Sequence, residues 1–563
     1  MQKISALLQK FPRAAALGAG ALSAYGFAPW GLWPLTLICF ALLIHLIAQA
    51  QNAKRAFLLG WLFGVGHFAF GNQWIAVAFT FQAAMPIWLG YIAVLSLALY
   101  LAVYPALAAA GAVWIGGHMT KILRHSRADG RADGANGADR LPLIFAFAGL
   151  WIVTEWLRSW VFTGYAWNPL SVLAVSIPYI AQPASVLGTY GISGLIILAV
   201  GGVTQFAVQR TQAARGARAK GGWADYAVGG VLLFILVATT IGARISLWGD
   251  DDARAAANAQ AVTVVQPNIS QADKYALGYD AINFAKLAMN SRPLPGQGPR
   301  LILWPEAAIP DYLEDGYPDR YYQGQPGESA AGARARLTTL MADGDVLLTG
   351  ANRLIFEKRQ LVAARNSVSA MDAFGRVVGH YDKAHLVPYG EYLPAPWLLQ
   401  PLGLARLVPG SIDFWPGAGP QTMTVSVNGT PIKIGMQVCY EMIFSGVVVD
   451  RKNRPDFIFN PSNDAWFGDI GPPQHLAQAR LRAIEEGLPV VRATPTGISA
   501  IIDVDGRIIK SLPLGVDGRI DAQLPRAKAP TLFAHFGNSI PLVFAGLLIM
   551  LALLPLAGRR SKG

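Results

Sequence analysis

Eight runs of about 20 apolar residues restrict the fold of this chain more than any other feature of its sequence. They lie near 14–29, 31–50, 57–79, 86–115, 142–160, 185–208, 225–247 and 536–557. A run of this length can cross the hydrocarbon core of a bilayer as a helix. Only 14% of the residues are charged, against about 25% in soluble domains. The sequence therefore predicts a polytopic α-helical membrane protein with about eight transmembrane helices.

The first apolar run has a second interpretation as a secretory signal peptide. Lys3, Lys10 and Arg13 precede a stretch of small residues, which is the order found in such peptides. Six further runs follow on short loops, and this favours a retained span over a cleaved leader.

Basic residues mark alternate loops between the predicted spans. Lys and Arg near span ends stay on the cytoplasmic side of a bacterial membrane. They occur at the N-terminus, in the second, fourth and sixth loops and in the C-terminal tail, as Lys3, Lys10, Arg13, Lys54, Arg55, Lys121, Arg124, Arg127, Arg131, Arg210, Arg215, Arg218, Lys220, Arg559, Arg560 and Lys562. Both termini are therefore expected in the cytoplasm, and the polar block between spans seven and eight in the periplasm.

Three domains follow from this arrangement: a membrane domain of seven spans at 1–250, a periplasmic domain at 258–528, and a last span at 535–558. The basic loops lack interleaved aromatic residues, so no nucleic-acid partner is expected. Within the membrane domain, Glu155 is the only acidic residue in the interior of a predicted span, since Asp225 stands at the first residue of the span 225–247. Arg158 lies one turn later and could pair with it, either at the membrane interface or in a functional role.

The polar block has the pattern of a layered α/β domain. Short β-rich runs alternate with amphipathic helical stretches near 334–341 and 474–486, and such alternation places reactive groups at strand ends. The predicted strands are 262–266, 301–304, 346–349, 432–438, 457–459 and 490–493.

Three strand ends in the polar block carry residues that are unusual for a protein core. Glu306 follows Leu301–Pro305, Lys383 lies in a Tyr-Asp-Lys-Ala-His run, and Cys439 follows the strand that ends at Val438. A cysteine at a strand-to-helix turn is expected to feel helix-terminal N–H groups, which favour the thiolate. Such a sulfur suits nucleophilic attack on an acyl group when a nearby carboxylate takes its proton. The other cysteine, Cys39, lies in an apolar run and is expected to be an inert packing residue.

These three residues, in this order, resemble the nitrilase or carbon–nitrogen hydrolase superfamily. With seven spans before the polar block and one after it, the chain is similar to the branch of that superfamily that acylates lipoproteins in the bacterial inner membrane. Further matches lie in Gly26–Trp30, Glu155–Arg158 and Asn463–Gly468. The resemblance implies an inserted nitrilase-like domain, an α-β-β-α sandwich.

The resemblance also implies roles for individual residues. Glu306, Lys383 and Cys439 would form a catalytic triad of base, oxyanion cation and nucleophile. Supporting positions would be Glu391, which would hold Lys383 or share in proton transfer, and Tyr440 and Glu441. Positions for substrate contact would be Tyr275, Tyr389 and Trp466, of which Tyr275 departs from the Trp that is usual in the family.

The implied reaction is acyl transfer through a thioester on Cys439. The donor would be a membrane glycerophospholipid and the acceptor the α-amine of the diacylglyceryl-cysteine at an apolipoprotein's N-terminus. No cofactor or metal is implied, and the protein is expected to act as a monomer.

Two alternatives remain open at this point. A membrane-anchored amidase or nitrilase could use the same triad on a small C–N substrate with water as acceptor, although one span would then suffice as an anchor. A transporter or receptor with an inert outer domain would instead be expected to show paired broken helices or several intramembrane charges.

Overall fold

The structure is a computed structural model that describes residues 10–81, 86–125, 140–177, 179–214, 260–274, 276, 278–402, 406–407 and 412–554. The chain divides into two compact units. One, called the membrane unit below, comprises Met1–Gln73, Ile92–Leu247 and Asn538–Gly563. The other, called the polar unit, comprises Trp74–Tyr91 and Trp248–Gly537.

The described α-helices are, in chain order, α1 (Pro12–Ser23), α2 (Trp33–Ala48), α3 (Ala53–Gly71), α4 (Ile75–Ala78), α5 (Trp88–Leu101), α6 (Val103–His125), α7 (Leu141–Arg158), α8 (Val172–Val175), α9 (Ala184–Ala214), α10 (Gln271–Lys274), α11 (Asp280–Ser291), α12 (Ala330–Thr338), α13 (Pro396–Leu399), α14 (Gly471–Glu486), α15 (Leu532–Phe536) and α16 (Ser539–Leu553). Short 3₁₀ turns lie between them at Ala24–Gly26, Phe79–Phe81, Asp319–Tyr321, Gln400–Leu402, Cys439–Ile443 and Asp464–Phe467.

Three described stretches are long and apolar enough to cross a membrane: Trp88–Gly116, Leu141–Arg158 and Ala184–Thr211. The helices α2 and α16 are apolar but shorter, with 16 and 15 residues. The first predicted span corresponds to α1, which has only 12 residues because the chain enters a 3₁₀ turn after Ser23. The seventh predicted span, 225–247, lies outside the described residues. Three described helices are therefore candidates for membrane spans, but the count of about eight is not confirmed.

Small residues let the helices of the membrane unit approach closely. A Cβ on Gly20 of α1 would lie 1.9 Å from the backbone oxygen of Phe63 in α3. A Cβ on Gly60 would lie 2.8 Å from the backbone oxygen of Pro105 in α6. Helices in lipid associate through van der Waals packing, which small residues at the interface make possible. These glycines therefore fix the spacing of α1, α3 and α6.

The polar unit contains two six-stranded sheets. The strands are β1 (Ala261–Gln266), β2 (Leu301–Leu303), β3 (Val346–Glu357), β4 (Gln360–Asp372), β5 (Val377–Asp382), β6 (Thr422–Val427), β7 (Thr430–Met436), β8 (Phe457–Pro461), β9 (Val490–Ala493), β10 (Ser499–Ile502), β11 (Ile508–Leu512) and β12 (Gly518–Gln523). The strand orders are β12-β1-β2-β3-β4-β5 and β11-β10-β9-β8-β7-β6.

The two sheets share one plan. Three neighbouring strands in each are parallel, β1-β2-β3 in the first and β7-β8-β9 in the second, and antiparallel strands flank them. Carboxyl ends of parallel strands in a layered α/β domain are the usual place for reactive groups. The six predicted strands correspond to the six parallel ones, so the α/β domain is confirmed.

Helices pack against both sheets. In the first sheet, α11 and α12 contribute Leu287 and Leu337 to a core with Val265, Ile302 and Leu347. In the second, the core joins α14 to β8, β9 and β10 through Leu476, Ala479, Ala483, Ile458, Val490 and Ala500. Gln266 on β1 links the sheets because its side-chain oxygen accepts the backbone N–H of Ser499 on β10 at 3.0 Å.

Candidate active site

Glu306 lies three residues beyond the end of β2, at the carboxyl end of the parallel strands. The backbone around it passes close to β3, where a Cβ on Gly350 would lie 2.2 Å from the nitrogen of Ala307 and 2.6 Å from the oxygen of Pro305. Glycine at this position is therefore needed for Glu306 to reach its place. The side chain is buried.

Lys383 directly follows β5 and contacts two carboxylates. Its Nζ lies 3.1 Å from Oε1 of Glu306 and 3.0 Å from Oε2 of Glu391. Burial alone would lower the pKa of this ammonium group, but the charges of Glu306 and Glu391 outweigh it and hold the pKa above its ordinary value. Lys383 is therefore a fixed cation over the whole physiological pH range.

Asn366 on β4 bridges the same two carboxylates. Its Nδ2 donates to Oε1 of Glu306 at 2.7 Å and to Oε1 of Glu391 at 2.8 Å. The backbone N–H of Asn463 donates to the other oxygen of Glu306 at 2.7 Å. Burial raises the pKa of Glu306, yet the charge of Lys383 and the Asn366 hydrogen bond bring it below its ordinary value. Asn366 was not among the predicted site residues, because one Asn inside a strand gives no signal in the sequence.

Cys439 lies just past β7, at the first residue of a 3₁₀ turn, Cys439–Ile443. Its φ of 51° is in the left-handed region, which costs about 1–3 kcal/mol for a residue other than glycine. Burial, and then the charge of Glu306, raise the pKa of the thiol, while Lys383 opposes them. The expectation that the turn would favour the thiolate is therefore wrong. The five-residue turn does not offset desolvation, and the sulfur keeps its proton until a base removes it.

Glu441 clamps the nucleophile turn to the segment that bears Lys383. Its Oε2 accepts the backbone N–H of Val438 at 2.7 Å. Its Oε1 accepts the backbone N–H groups of Ala384 and His385 at 2.7 and 3.1 Å and the hydroxyl of Tyr381 at 2.8 Å. Burial raises the pKa of this carboxyl to about 7, although the hydrogen bonds from the backbone N–H groups act to lower it. The neighbouring Tyr440 is buried and packs its ring against Phe444, with centroids 5.2 Å apart.

A buried polar cluster lies behind Cys439, and sequence analysis did not predict it. His475 on α14 places Nε2 3.1 Å from the carbonyl oxygen of Cys439. A carbonyl only accepts, so Nε2 bears the hydrogen. Nδ1 lies 3.0 Å from Nη2 of Arg492 and 3.1 Å from Oδ1 of Asp464. Arg492 and Asp464 form an ion pair, and Ser462 donates to Asp464 at 2.6 Å.

That cluster anchors the strained nucleophile through its backbone. Nε2 of His475 donates to the carbonyl oxygen of Cys439 and holds it in place. Burial, and then the charge of Arg492, lower the pKa of His475, which keeps its ring neutral. The Asn463–Gly468 motif is visible in the sequence, but nothing in the sequence places His475 beside it.

The three substrate-contact residues have different surroundings. Tyr275 lies outside the described residues. Tyr389 is half exposed, with a φ of 61°. Trp466 packs its ring edge-on to Phe81, with centroids 5.6 Å apart, and Phe467 does the same with Trp74 at 4.8 Å.

Glu155 and Arg158, in α7 of the membrane unit, are both buried. Oε1 of Glu155 accepts the backbone N–H of Leu170 at 2.9 Å, and Arg158 donates to the backbone oxygen of Trp167 at 2.9 Å. In the described part of the chain the two charges thus bind backbone groups rather than each other. They hold the stretch after α7 against the helix.

The polar unit therefore assembles a thiol, a carboxylate and an ammonium group in one buried cluster, the set that nucleophilic acyl chemistry requires. Among the residues that the structure describes, no group of three or more His, Cys, Asp or Glu side chains is arranged to hold a metal ion.

Two family models match the chain. Residues 19–202 match the apolipoprotein N-acyltransferase N-terminal domain, and residues 261–531 match the carbon-nitrogen hydrolase family. Solved structures found in the comparison include Nit3 of Saccharomyces cerevisiae (20% identity, TM-score 0.31, 50% of this chain and 94% of that one) and an amidase of Nesterenkonia (19% identity, TM-score 0.31, 48% and 93%).

Relatives match over nearly the full length. The apolipoprotein N-acyltransferase of Rhodopseudomonas palustris is 34% identical over 558 residues, which are 96% of this chain and 94% of the relative. That of Caulobacter vibrioides is 34% identical over 550 residues, 93% and 91% of the two chains. The resemblance inferred from the motifs is confirmed, and the chain belongs to the apolipoprotein N-acyltransferase family.

Proposed function

We propose that this membrane enzyme N-acylates apolipoproteins through a thioester on Cys439, with a glycerophospholipid as acyl donor. The observation that carries the proposal is the buried cluster of Glu306, Lys383 and Cys439 in a chain whose full-length relatives are named apolipoprotein N-acyltransferase. A thioester preserves enough reactivity for amide formation without ATP. Both substrates are membrane-anchored, so an enzyme in the same membrane meets them at high effective concentration.

The reaction has two half-reactions at the same sulfur. In the first, Glu306 accepts the thiol proton while sulfur bonds to the ester carbon of the phospholipid. The ester C–O bond then breaks, and Glu306 returns the proton to the departing lysophospholipid oxygen. In the second, the α-amine of the diacylglyceryl-cysteine attacks the thioester carbon. Its proton passes to Glu306 and then to sulfur as the C–S bond breaks and the amide leaves.

Each half-reaction passes through an oxyanion. Lys383, fixed between two carboxylates, stabilises that charge together with the backbone N–H of Tyr440. Glu391 holds Lys383, and Glu441 holds the nucleophile turn. Tyr275, Tyr389 and Trp466 contact the substrates.

The proposed arrangement places the enzyme in the inner membrane as a monomer, with the domain at 258–528 in the periplasm and both termini in the cytoplasm. It rests on the alternation of basic and uncharged loops. Reporter fusions after Arg215 and after Asp252 should accordingly report opposite compartments. If both report the cytoplasm, this topology is wrong.

The decisive experiment for function is mass spectrometry of the purified protein after incubation with phospholipid. The peptide that contains Cys439 should gain the mass of one acyl chain, and a diacylated lipopeptide should then remove it. Cys439→Ala should lose both the adduct and turnover, and the peptide that contains Cys39 serves as an internal control.

The same experiment tests the amidase alternative, since the triad would serve either reaction. A Cys439 peptide that takes up no acyl chain from phospholipid, but is modified by a small amide, would overturn the proposal. The transporter alternative has no support, because the full-length relatives are named as acyltransferases.

A further inference from the structure

A second lysine lies against the catalytic base. Lys274 is the last residue of α10, and its Nζ donates to the backbone oxygen of Glu306 at 3.2 Å. The same helix is tied to the site a second time: Oε1 of Gln271 accepts from Nδ2 of Asn463 at 2.9 Å, while the backbone N–H of Asn463 donates to Glu306. Lys274 is therefore held in place from both ends of α10.

The charges of the buried cluster do not balance without this lysine. Glu306 and Glu391 are two carboxylates, and Lys383, which lies between them, is one cation. All three side chains are buried, and an uncompensated buried charge is costly. One further positive charge makes the sum zero.

Other charged groups near the nucleophile have partners of their own. Asp464 is paired with Arg492. Glu441 receives three backbone N–H groups and the Tyr381 hydroxyl. Asp273, the charged neighbour of Lys274 in α10, accepts a hydrogen bond from Ser270 at 2.8 Å. These groups leave the excess negative charge at Glu306 and Glu391 unaltered.

We propose that Lys274 is the counter-charge that keeps the reaction centre neutral through the acyl transfer. The thiol proton moves to Glu306 as sulfur attacks, so one negative charge leaves Glu306 and one appears on the oxyanion. With Lys274 charged, the sum is zero before and after this step. Without Lys274, the thiol proton is transferred and the oxyanion forms in a centre that already has a net negative charge. Lys274 acts through Glu306 and Cys439 and is a positioning residue in this sense.

The titration of Lys274 agrees with this role. Burial lowers its pKa to about 8, although the Glu306 carboxylate and the titratable Cys439 sulfur act to raise it. These two titratable groups face it from the neighbouring segments. The lysine is thus cationic at neutral pH and loses its charge as the pH rises through about 8. The part of this inference that concerns acyl transfer rests on the proposed function, whereas the effect of Lys274 on the thiol does not require a lipid substrate.

The experiment compares three variants with the unmodified enzyme. Lys274→Met removes the charge, and Lys274→Arg retains it. Lys286→Met is the matched control, because Nζ of Lys286 also donates to a backbone oxygen at 3.2 Å, that of Asn268. The first readout is the rate at which iodoacetamide modifies Cys439, followed by mass spectrometry of its peptide. The second is single-turnover acylation by phospholipid between pH 6.5 and 9.5.

Lys274→Met should slow both reactions on the order of ten-fold at pH 7.5, since losing a nearby opposite charge shifts a pKa by about one unit or more. Lys274→Arg should restore the rates and keep acylation fast above pH 8, where the unmodified enzyme declines. Lys286→Met should match the unmodified enzyme. If Lys274→Met does not fold, Lys274→Gln keeps an N–H donor without the charge and replaces it.

Equal iodoacetamide rates in Lys274→Met and the unmodified enzyme would overturn the inference. Equal loss in Lys274→Met and Lys274→Arg would also overturn it, because shape and not charge would then matter. Failure of the acyl adduct to form in the unmodified enzyme would instead contradict the proposed function, and the iodoacetamide comparison would still decide the role of Lys274.

Discussion

Replacing Asn366 should separate the hydrogen bonds of the site from its charges. One NH₂ group of this residue gives one hydrogen to Glu306 and the other to Glu391. In the described residues its amide oxygen has no hydrogen-bond partner, so losing that oxygen should cost nothing. Asn366→Leu, of similar size, therefore removes two bonds to buried carboxylates and little else.

The expected magnitude follows from these two contacts. A hydrogen bond to a charged group contributes about 1.5–3 kcal/mol. Asn366→Leu should then lower the free energy of unfolding by about 3–6 kcal/mol at most. The decrease is smaller if the contacts of Lys383 with the two carboxylates partly replace the lost hydrogen bonds, because bonds in one network are not additive. For a domain of this size the thermal midpoint should fall on the order of 10 °C.

Asn366→Asp should behave differently with pH. It would place a third carboxyl group within hydrogen-bond distance of Glu306 and Glu391, and three such groups cannot all ionise. The pKa of the new group in the folded state is thus raised above its unfolded value of about 4. Its destabilising effect is absent below that value and grows as the pH rises toward the folded-state pKa.

Thermal unfolding followed by tryptophan fluorescence in detergent, at pH 5 and pH 8, measures both effects. Asn290→Leu is the control, since Nδ2 of Asn290 also donates to a carboxylate, that of Asp517 at 3.0 Å, but near the surface. That variant should unfold within about 2 °C of the unmodified protein. This account of the site would be refuted if Asn366→Leu unfolded at as high a temperature as the control. It would also be refuted if Asn366→Asp lowered the thermal midpoint by the same amount at both pH values.

The remaining predictions concern the reaction. Glu306→Gln cannot take the thiol proton, so single-turnover thioester formation should fall by about 10²–10⁴-fold, and an unchanged rate would require another base. Lys383→Met should slow acylation and transfer from a preloaded thioester alike, each on the order of 10²–10³-fold; slowing of one step alone would contradict a shared oxyanion role. His475→Ala should lower kcat more than it raises KM, because the Cys439 carbonyl loses its donor, whereas His475→Gln should recover part of the rate; equal losses would argue against this positioning role. Cys39→Ala should keep activity within about three-fold, and a large loss would show that this thiol is not a packing residue.

The sequence motifs predict the reactive groups at strand ends but not the residues that adjust their pKa values and positions. Glu306, Lys383 and Cys439 stand out because each follows an apolar or aromatic run. Asn366 and His475 lie inside a strand and a helix, where a lone polar residue is usually solvated. Their burial depends on contacts between separate segments, as in the 60-residue separation of Asn366 and Glu306, and no local pattern reveals these contacts.

The parallel strands were predictable and the antiparallel ones were not. Buried strands such as β2 are continuous apolar runs, whereas β11, with four of its five residues exposed, gives no such signal. The β3–β4 hairpin turns through Lys358 and Arg359, both with positive φ, in place of the Asn-Gly pair that usually marks such a turn. For this reason β3 was predicted to end at Thr349 and in fact continues to Glu357.

The grouping of Trp74–Tyr91 with the polar unit has a consequence for protein engineering. A soluble fragment that begins at Ala261 would omit the partners of Trp466 and Phe467, at a cost of about 0.5–1.5 kcal/mol for each lost aromatic pair. The backbone that carries Asp464 would lose its support at the same time. A secreted version for inhibitor screening should therefore be built as a fusion, with the 74–91 segment joined through a flexible linker to the fragment.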